Sequence, residues 1–291
     1  MNLLLLNNYF TIGSLKIYYY AICIVSGIMI AAALSIPLFK RRGYKPDILL
    51  DILIAVIPCS IVFARLWYVV FDLEEFTSGA ENFWQFLGNV VNTRSGGMAI
   101  YGGVLGGALG IFIVSKIKKI PFARIGDVGA AMLPLGQAIG RLGNFFNQEV
   151  YGKVIADPGW QHFPFAVYIE ADASWHAALC FEEMFFNLIV FGILYYFMFN
   201  YNGRRNGYAI GAYFFFYGLI RAVMEPQRSE QYNMGTNFLG LPLMTWFSIL
   251  LMLAGIGIVV ALVILDKREG ECWWKTFFKK KEKVEEVEAD S

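Results

Sequence analysis

Seven apolar stretches of near membrane-spanning length constrain the fold of this chain more than any other feature. They cover about 17–38, 48–71, 98–115, 125–146, 177–199, 208–225 and 244–265. Crossing hydrocarbon takes a helix of about 20 residues, and in lipid the backbone must satisfy its own hydrogen bonds. Only 16% of the 291 residues are charged, against about 25% in soluble domains. The sequence therefore predicts an all-α integral membrane protein with seven transmembrane helices.

The distribution of lysine and arginine predicts the orientation of these helices. Of the 24 Lys and Arg residues, 17 lie in the links at about 39–47, 116–124 and 200–207 or after Leu265, and 4 lie in the alternate links. Because cytoplasmic loops carry the excess of positive charge, we expect the N-terminus outside and the C-terminus in the cytoplasm.

The same orientation divides the chain into two predicted parts. Residues 1–265 form the membrane domain, whose long outer loops at 72–97 and 147–176 are expected to build a small extracytoplasmic head. Residues 266–291 combine aromatic and basic residues and then turn acidic, which predicts a cytoplasmic interfacial anchor and a disordered tail.

Polar residues interrupt the fourth apolar stretch at helical spacing. Gln137, Arg141, Asn144 and Gln148 follow one another at intervals of four, three and four residues, so an α-helix would place them on one face. A charged side chain inside a membrane is costly and usually marks a functional site. This face is therefore the first candidate for a site.

Two further arginines are expected at the same depth. At a helical rise of 1.5 Å per residue, Arg65, Arg141 and Arg221 lie about 20 to 25 Å from the cytoplasmic side. The planar guanidinium suits phosphate, so a phospholipid headgroup in the outer leaflet is the favoured ligand. In the alternative interpretation each arginine pairs with a carboxylate for structure, as Arg221 and Glu225 could at i and i+4.

Composition argues against several other classes of protein. The net charge of +1 gives no reason to expect nucleic acid as a partner, and the spacing of the four cysteines and two histidines predicts no metal site. A transporter would favour internal repeats, which are not evident. A retinal receptor would need a lysine in 244–265, which has none. A scaffold leaves the buried arginines unexplained. In the third stretch, Gly102, Gly106 and Gly110 predict a helix-packing face.

The polar stretch continues into a longer motif, Gly140-Arg141-x-Gly143-Asn144-Phe145-x-Asn147-x-Glu149-x-x-Gly152. It resembles the signature of the bacterial prolipoprotein diacylglyceryl transferases. Further elements of that family recur in order: Tyr19-Tyr20-Ala21, Ala64-Arg65-Leu66-Trp67-Tyr68, Tyr101-Gly102-Gly103, His176 with Glu182, and Tyr217-Gly218-x-x-Arg221-x-x-x-Glu225-x-x-Arg228. The resemblance spans about residues 17 to 265.

The resemblance implies a seven-helix enzyme of the bacterial inner membrane whose active site faces the outer leaflet. Such enzymes transfer the diacylglyceryl group of phosphatidylglycerol to the lipobox cysteine of a preprolipoprotein, form a thioether and release glycerol-1-phosphate. No cofactor is implied. Two elements depart from the family pattern. Tyr101 stands where many members have histidine, and the segment from His176 to Glu182 lacks the family's proline and glutamine.

The resemblance also implies roles for individual residues. The predicted catalytic residues are Arg141, Arg221, Tyr101 and Glu225; the predicted substrate-binding residues are Arg141, Asn144, Asn147, Glu149, Tyr20, Arg65, Gly102 and Gly103. The incoming thiol must become a thiolate, and Tyr101, Tyr20, Glu225 or the local positive potential could assist. Positive potential is preferred, because a tyrosine pKa of about 10 makes a poor base at neutral pH.

Overall fold

A computed structural model of the protein describes residues 8–78, 82–93, 96–201, 205–229 and 237–269. Its helices are Tyr19–Arg41 (α1), Ile48–Phe71 (α2), Leu73–Thr77 (α3), Phe83–Val91 (α4), Ile100–Lys118 (α5), Phe122–Asn147 (α6), Leu179–Asn200 (α7), Tyr208–Met224 (α8) and Leu243–Arg268 (α9). Each of the seven apolar stretches corresponds to one long helix, so these seven helix predictions are confirmed. The predicted tail lies mostly at 270–291, outside the described residues.

Short antiparallel hairpins lie before α1 and in two of the links between the helices. Tyr9–Ile12 (β1) pairs with Leu15–Tyr18 (β2), Ala166–Ile169 (β3) with Ser174–Ala177 (β4), and Asn237–Phe238 (β5) with Leu241–Pro242 (β6). The predicted outer loop 147–176 thus contains an ordered hairpin, and the loop 72–97 contains α3 and α4.

Five of the described helices are long and apolar enough to cross a membrane, namely α1, α2, α5, α7 and α9. Helix α8 has only 17 residues, and α6 carries charged residues such as Asp127 and Arg141. The structure therefore supports an integral membrane protein. Seven spans, and their orientation, stay predictions.

The chain forms two compact units. The first unit is 42–126, and the second unit combines the segment before residue 42 with the segment after residue 126. In the first unit α2 packs closely along α5. A Cβ atom added at Gly110 would lie 2.7 Å from Val56 Cα, and glycines 102 and 106 approach α2 just as closely. Since any side chain at these positions would separate the helices, the predicted packing face of α5 is confirmed.

In the second unit α8 packs along α9, and α7 contributes a buried stripe. A Cβ at Gly218 would lie 2.7 Å from Met252 N, so these two backbones are in close contact. From Cys180 onward the buried residues of α7 recur at three- and four-residue steps, as expected of one helix face. With Leu179, the set is Leu179, Cys180, Glu183, Asn187, Val190, Leu194 and Met198. A carboxylate and an amide therefore lie on the inner face of a membrane helix.

Candidate active site

Glu183 is the centre of a buried group of charges in the second unit. It lies on the inner stripe of α7 and is 1% exposed. Its Oε2 atom forms an ion pair with Nη2 of Arg141 on α6. Its Oε1 atom accepts a hydrogen bond from Nη2 of Arg228 at 3.0 Å and lies 4.0 Å from Nη1 of Arg221 on α8. One carboxylate thus holds three guanidinium groups from separate parts of the chain.

A second carboxylate, Glu225, joins two of these arginines. Its Oε2 atom lies 2.9 Å from Nη2 of Arg221 and 3.4 Å from Nε of Arg228. The 3-10 turn Glu225–Gln227, which directly follows α8, turns the chain so that Arg228 points back to Glu183. We call Arg141, Arg221, Arg228, Glu183 and Glu225 the arginine cluster.

The arginine cluster carries one more positive than negative formal charge. Burial lowers the pKa of Arg228, the charge of Arg221 lowers it further, and Glu183 and Glu225 oppose both effects. The side chains of Arg141 and Arg221 are 21% and 18% exposed, so neither is fully enclosed by the protein. An arginine has five N–H donors, and the cluster can therefore offer donors to an anion while its carboxylates hold the guanidinium planes.

The signature residues after Arg141 lie at the end of α6. Asn144 accepts a hydrogen bond from Nη1 of Arg141 at 3.1 Å, and Nδ2 of Asn147 lies 3.5 Å from Oε1 of Glu149. The Oδ1 atom of Asn147 is buried and has no hydrogen-bond partner among the described residues. These amides extend the polar surface from the arginine cluster toward the end of the helix.

The backbone after α6 is strained. Gln148 and Val150 have φ angles of 53° and 58°, a left-handed conformation that is unusual for non-glycine residues and most unfavourable for a β-branched one. Such strain persists only where surrounding contacts impose it, and it is concentrated at functional sites. Glu149 lies between these two residues.

Backbone hydrogen bonds hold this strained segment from two sides. Gly152 N donates to Ala177 O at 2.9 Å, and Ser229 N donates to Tyr151 O at 3.2 Å. A Cβ at Gly152 would lie 2.8 Å from the Ala177 Cβ, which explains the last glycine of the signature. The segment therefore connects β4 to the turn that carries Arg228.

His176 supports the same contact. It is 3% exposed, its Nδ1 atom lies 2.9 Å from Gly152 O, and its Nε2 atom lies 2.8 Å from Ser174 Oγ. The imidazole ring lies 4.4 Å from the ring of Tyr151. These contacts place His176 behind the signature segment, in a structural position.

A pocket opens beside the end of α6. Its lining combines the signature residues with the β3–β4 hairpin and the start of α7: Asn144, Phe145, Phe146, Gln148, Glu149, Tyr151, Val167, Tyr168, Ile169 and Cys180. Tyr20, in the first turn of α1, lies against the same helix, because a Cβ at Gly143 would be 2.5 Å from the Tyr20 ring. Polar groups, aromatic rings and aliphatic side chains are thus all available next to the signature.

The remaining predicted site residues lie in the unit 42–126. Arg65 is 6% exposed. Its guanidinium donates to the backbone carbonyls of Asn89, Val90, Asn92, Gly96 and Gly97 at 2.7 to 2.8 Å. It also lies 4.7 Å from the Phe76 ring. These contacts fit the structural interpretation of Arg65.

The first turn of α5 holds the other predicted residues of this unit. Tyr101 is 54% exposed, and Gly102 contacts α2. A Cβ atom added at Gly103 would lie 3.8 Å from the Ala64 Cβ. Roles for these residues and for Arg65 in binding or catalysis stay predictions.

Sequence reasoning missed the role of Glu183. The resemblance paired His176 with Glu182, whereas the ion pairs are made by the next residue. One residue rotates a helix position by about 100°, and the buried stripe of α7 selects Glu183 together with Asn187. Arg228 belonged to the matched motif but was not among the predicted site residues. The available signal was the i, i+4 spacing of Glu183 and Asn187 in an otherwise apolar run.

The chain has relatives among known proteins. The family model for prolipoprotein diacylglyceryl transferase matches residues 7–261. The chain belongs to this family. Relatives in the family include phosphatidylglycerol--prolipoprotein diacylglyceryl transferase 1 of Clostridium perfringens, which is 33% identical over 264 residues, or 89% of this chain and 95% of the relative.

A second relative is the phosphatidylglycerol--prolipoprotein diacylglyceryl transferase of Streptococcus pneumoniae (strain Hungary19A-6). It is 33% identical over 253 residues, which is 86% of this chain and 91% of the relative. The predictions of family membership and of a transferase are therefore confirmed.

Proposed function

We propose that this transferase moves the diacylglyceryl group of phosphatidylglycerol onto the lipobox cysteine of preprolipoproteins. The observation that carries the proposal is the arginine cluster, in which three guanidinium groups face two carboxylates. The names of the relatives supply the two substrates, and a cationic site rich in arginine suits the phosphate of one of them.

The proposed reaction is a displacement at carbon. The cysteine thiolate attacks the carbon of the diacylglyceryl group that is bonded to the phosphate oxygen, a C–S thioether bond forms, and the C–O bond from that carbon to the phosphate breaks. The electron pair of that bond leaves on the phosphate oxygen, and the product is glycerol-1-phosphate. Negative charge thus grows on the phosphate as the reaction proceeds, where preorganised cationic donors stabilise it most.

Arg141 and Arg221 are the proposed phosphate ligands. Both are partly exposed, and Glu183 and Glu225 fix their orientation through ion pairs that leave other N–H groups available. Asn144 holds the Arg141 side chain. The Oδ1 atom of Asn147, which has no partner in the described part of the chain, and the carboxylate of Glu149 are the proposed acceptors for the hydroxyls of the headgroup glycerol.

The thiol loses its proton to water or to a nearby group before it attacks. The net positive charge of the arginine cluster favours the thiolate and is the preferred explanation. Glu225 forms ion pairs with two arginines and is therefore not the preferred base for the thiol. Tyr20 and Tyr101 are the proposed hydrogen-bond donors to the substrates. The substrate-binding roles predicted for Gly102, Gly103 and Arg65 in the unit 42–126 stay predictions, and the five N–H groups of Arg65 already donate to backbone carbonyls.

The proposed topology has seven spans, an outer N-terminus and a site in the outer half of the bacterial inner membrane. It is supported by basic residues in the last turns of α1, α5 and α9, the ends predicted to be cytoplasmic. In this topology the C-terminal ends of α6 and α8 and the start of α7, which carry the arginine cluster, face the outer leaflet. The loops 72–97 and 147–176 then form the extracytoplasmic head.

Mass spectrometry of a lipobox peptide tests the reaction. Purified protein is incubated with phosphatidylglycerol and a peptide that has one cysteine. We expect the peptide to gain one diacylglyceryl unit, and a Cys→Ser peptide to gain nothing. A folded protein that leaves the peptide unmodified would contradict the proposed reaction.

Matched arginine variants test the site. Arg141→Ala and Arg221→Ala should each lower the transfer rate by at least about a hundredfold, the size of losing an oxyanion-stabilising donor. Arg41→Ala is the control, because Arg41 contacts Phe199 near the opposite end of α7. Full activity in either site variant would refute its assignment as a phosphate ligand.

A further inference from the structure

Asp127 caps helix α8 from a neighbouring helix. It lies on α6 and is 2% exposed. Its Oδ2 atom accepts a hydrogen bond from Gly207 N at 2.7 Å, and its Oδ1 atom accepts one from Ile210 N at 3.1 Å. Gly207 is the N-cap residue of α8, has φ of 111° and has no side chain of its own to cap the helix. The carboxylate of Asp127 supplies the missing cap, and its charge also matches the helix dipole.

The same two helices meet again at the arginine cluster. The step from Asp127 to Arg141 along α6 is 14 residues, and the step from Gly207 to Arg221 along α8 is also 14 residues. Each step corresponds to about 21 Å along a helix. Arg141 and Arg221 share the carboxylate of Glu183. Helices α6 and α8 therefore run in the same direction and are tied by a buried carboxylate at each end.

A third polar contact lies between these two ends. Nε2 of Gln137 on α6 donates to the hydroxyl of Tyr213 on α8 at 2.8 Å. All three contacts are polar side-chain bonds, which add to the close packing of α8 along α9 in holding α8 in place. Of the three, only Asp127 bonds directly to the α8 backbone.

We propose that Asp127 is a positioning residue that sets the axial position of α8 and thereby places Arg221 against Glu183. At about 21 Å from the cluster, Asp127 cannot touch the phosphate. A small axial shift of α8 moves Arg221 by the same amount, since a helix transmits displacement along its axis. The part of the proposal that concerns phosphatidylglycerol rests on the proposed function of Arg221.

The first test is hydrogen–deuterium exchange at the far end of α8. The amides of Arg228 and Ser229 donate to Glu225 O and Tyr151 O at 3.2 Å, so they report the turn that follows Arg221. In Asp127→Ala we expect these amides to exchange about fivefold faster or more, the factor expected for a lost cap. Asp127→Asn, which keeps one acceptor, should show a smaller effect and serves if the alanine variant does not fold.

Tyr208→Phe is the matched control. The Tyr208 hydroxyl donates to Asp266 Oδ2 at 2.5 Å, so this variant removes a buried hydrogen bond from the same turn of α8 but leaves the backbone bonds to Asp127. It should not change exchange at Arg228 and Ser229. Unchanged exchange there in both Asp127 variants, or an equal increase in Tyr208→Phe, would overturn the proposal.

The second test measures transfer with both substrates varied. Asp127→Ala should raise KM for phosphatidylglycerol by about tenfold or more, because a small misplacement of a binding group is costly, while KM for the peptide stays unchanged. An equal change in both KM values would overturn the assignment to Arg221. If the wild-type protein transfers nothing, the proposed function fails, and the exchange experiment still decides whether Asp127 positions the end of α8.

Discussion

Replacement of Glu183 by glutamine is the sharpest test of the arginine cluster. The change keeps the volume and one acceptor oxygen but removes the charge that opposes three arginines. The formal charge of the cluster rises from +1 to +2. Removing one partner of a buried ion pair costs about 3 to 5 kcal/mol. Because the side chains of Arg141 and Arg221 are 21% and 18% exposed and thus not fully buried, we expect a loss near the lower end, about 3 kcal/mol.

The assay is the free energy of unfolding in mixed detergent micelles, with Glu182→Gln as the control. Glu182 has the same side chain one position earlier but lies off the buried stripe of α7, so its replacement should change the free energy by no more than about 0.5 kcal/mol. Transfer should also fall in Glu183→Gln, since Arg141 loses its counterion. Equal effects of the two variants, or a larger effect at Glu182, would refute the placement of Glu183 at the centre.

Three further substitutions test other parts of the structure by the same unfolding measurement. Arg65→Lys should destabilise the protein by about 3 kcal/mol, because an ammonium group cannot donate to five carbonyls; a loss below about 1 kcal/mol would contradict the contacts of Arg65. Gly143→Ala should cost about 1 to 3 kcal/mol, since the new methyl group meets the ring of Tyr20 at 2.5 Å, and Tyr20→Ala in the same chain should recover part of that loss. Val150→Gly should stabilise the protein by about 1 kcal/mol, because glycine accepts the φ of 58° without strain, whereas a loss of stability would show that the valine side chain contributes more than its backbone costs.

The helices could be predicted from the sequence because the signal for them is local. A run of apolar residues long enough to span a membrane specifies a helix without reference to the rest of the chain. Glycines at four-residue steps on α5 predicted close packing for the same reason, and the partner proved to be α2. The stretch around Arg141 also carried its own signal, since ionisable residues on one face of an apolar helix usually face a protein interior or a site.

The partners of the buried charges depend on tertiary contacts and could not be predicted in the same way. The depth of Arg65 was estimated from helix rise, but the carbonyls that it binds belong to a turn more than 20 residues later. For Glu183, the choice between two adjacent glutamates depends on which face of α7 is buried. The motif spacing favoured Glu182, because α7 is apolar on all sides and the sequence marks its inner face only by the i, i+4 spacing of Glu183 and Asn187.

The charge balance of the arginine cluster explains why it can be both stable and receptive. Three arginines without carboxylates would be too costly to bury, and three carboxylates would leave no attraction for an anion. With Glu183 and Glu225 present, one positive charge remains. The phosphodiester of phosphatidylglycerol carries one negative charge, so its binding would make the site neutral. In the proposed reaction the phosphate would gain further negative charge as the C–O bond breaks, and the same carboxylates that hold the arginines in place would limit how tightly the product glycerol-1-phosphate is retained.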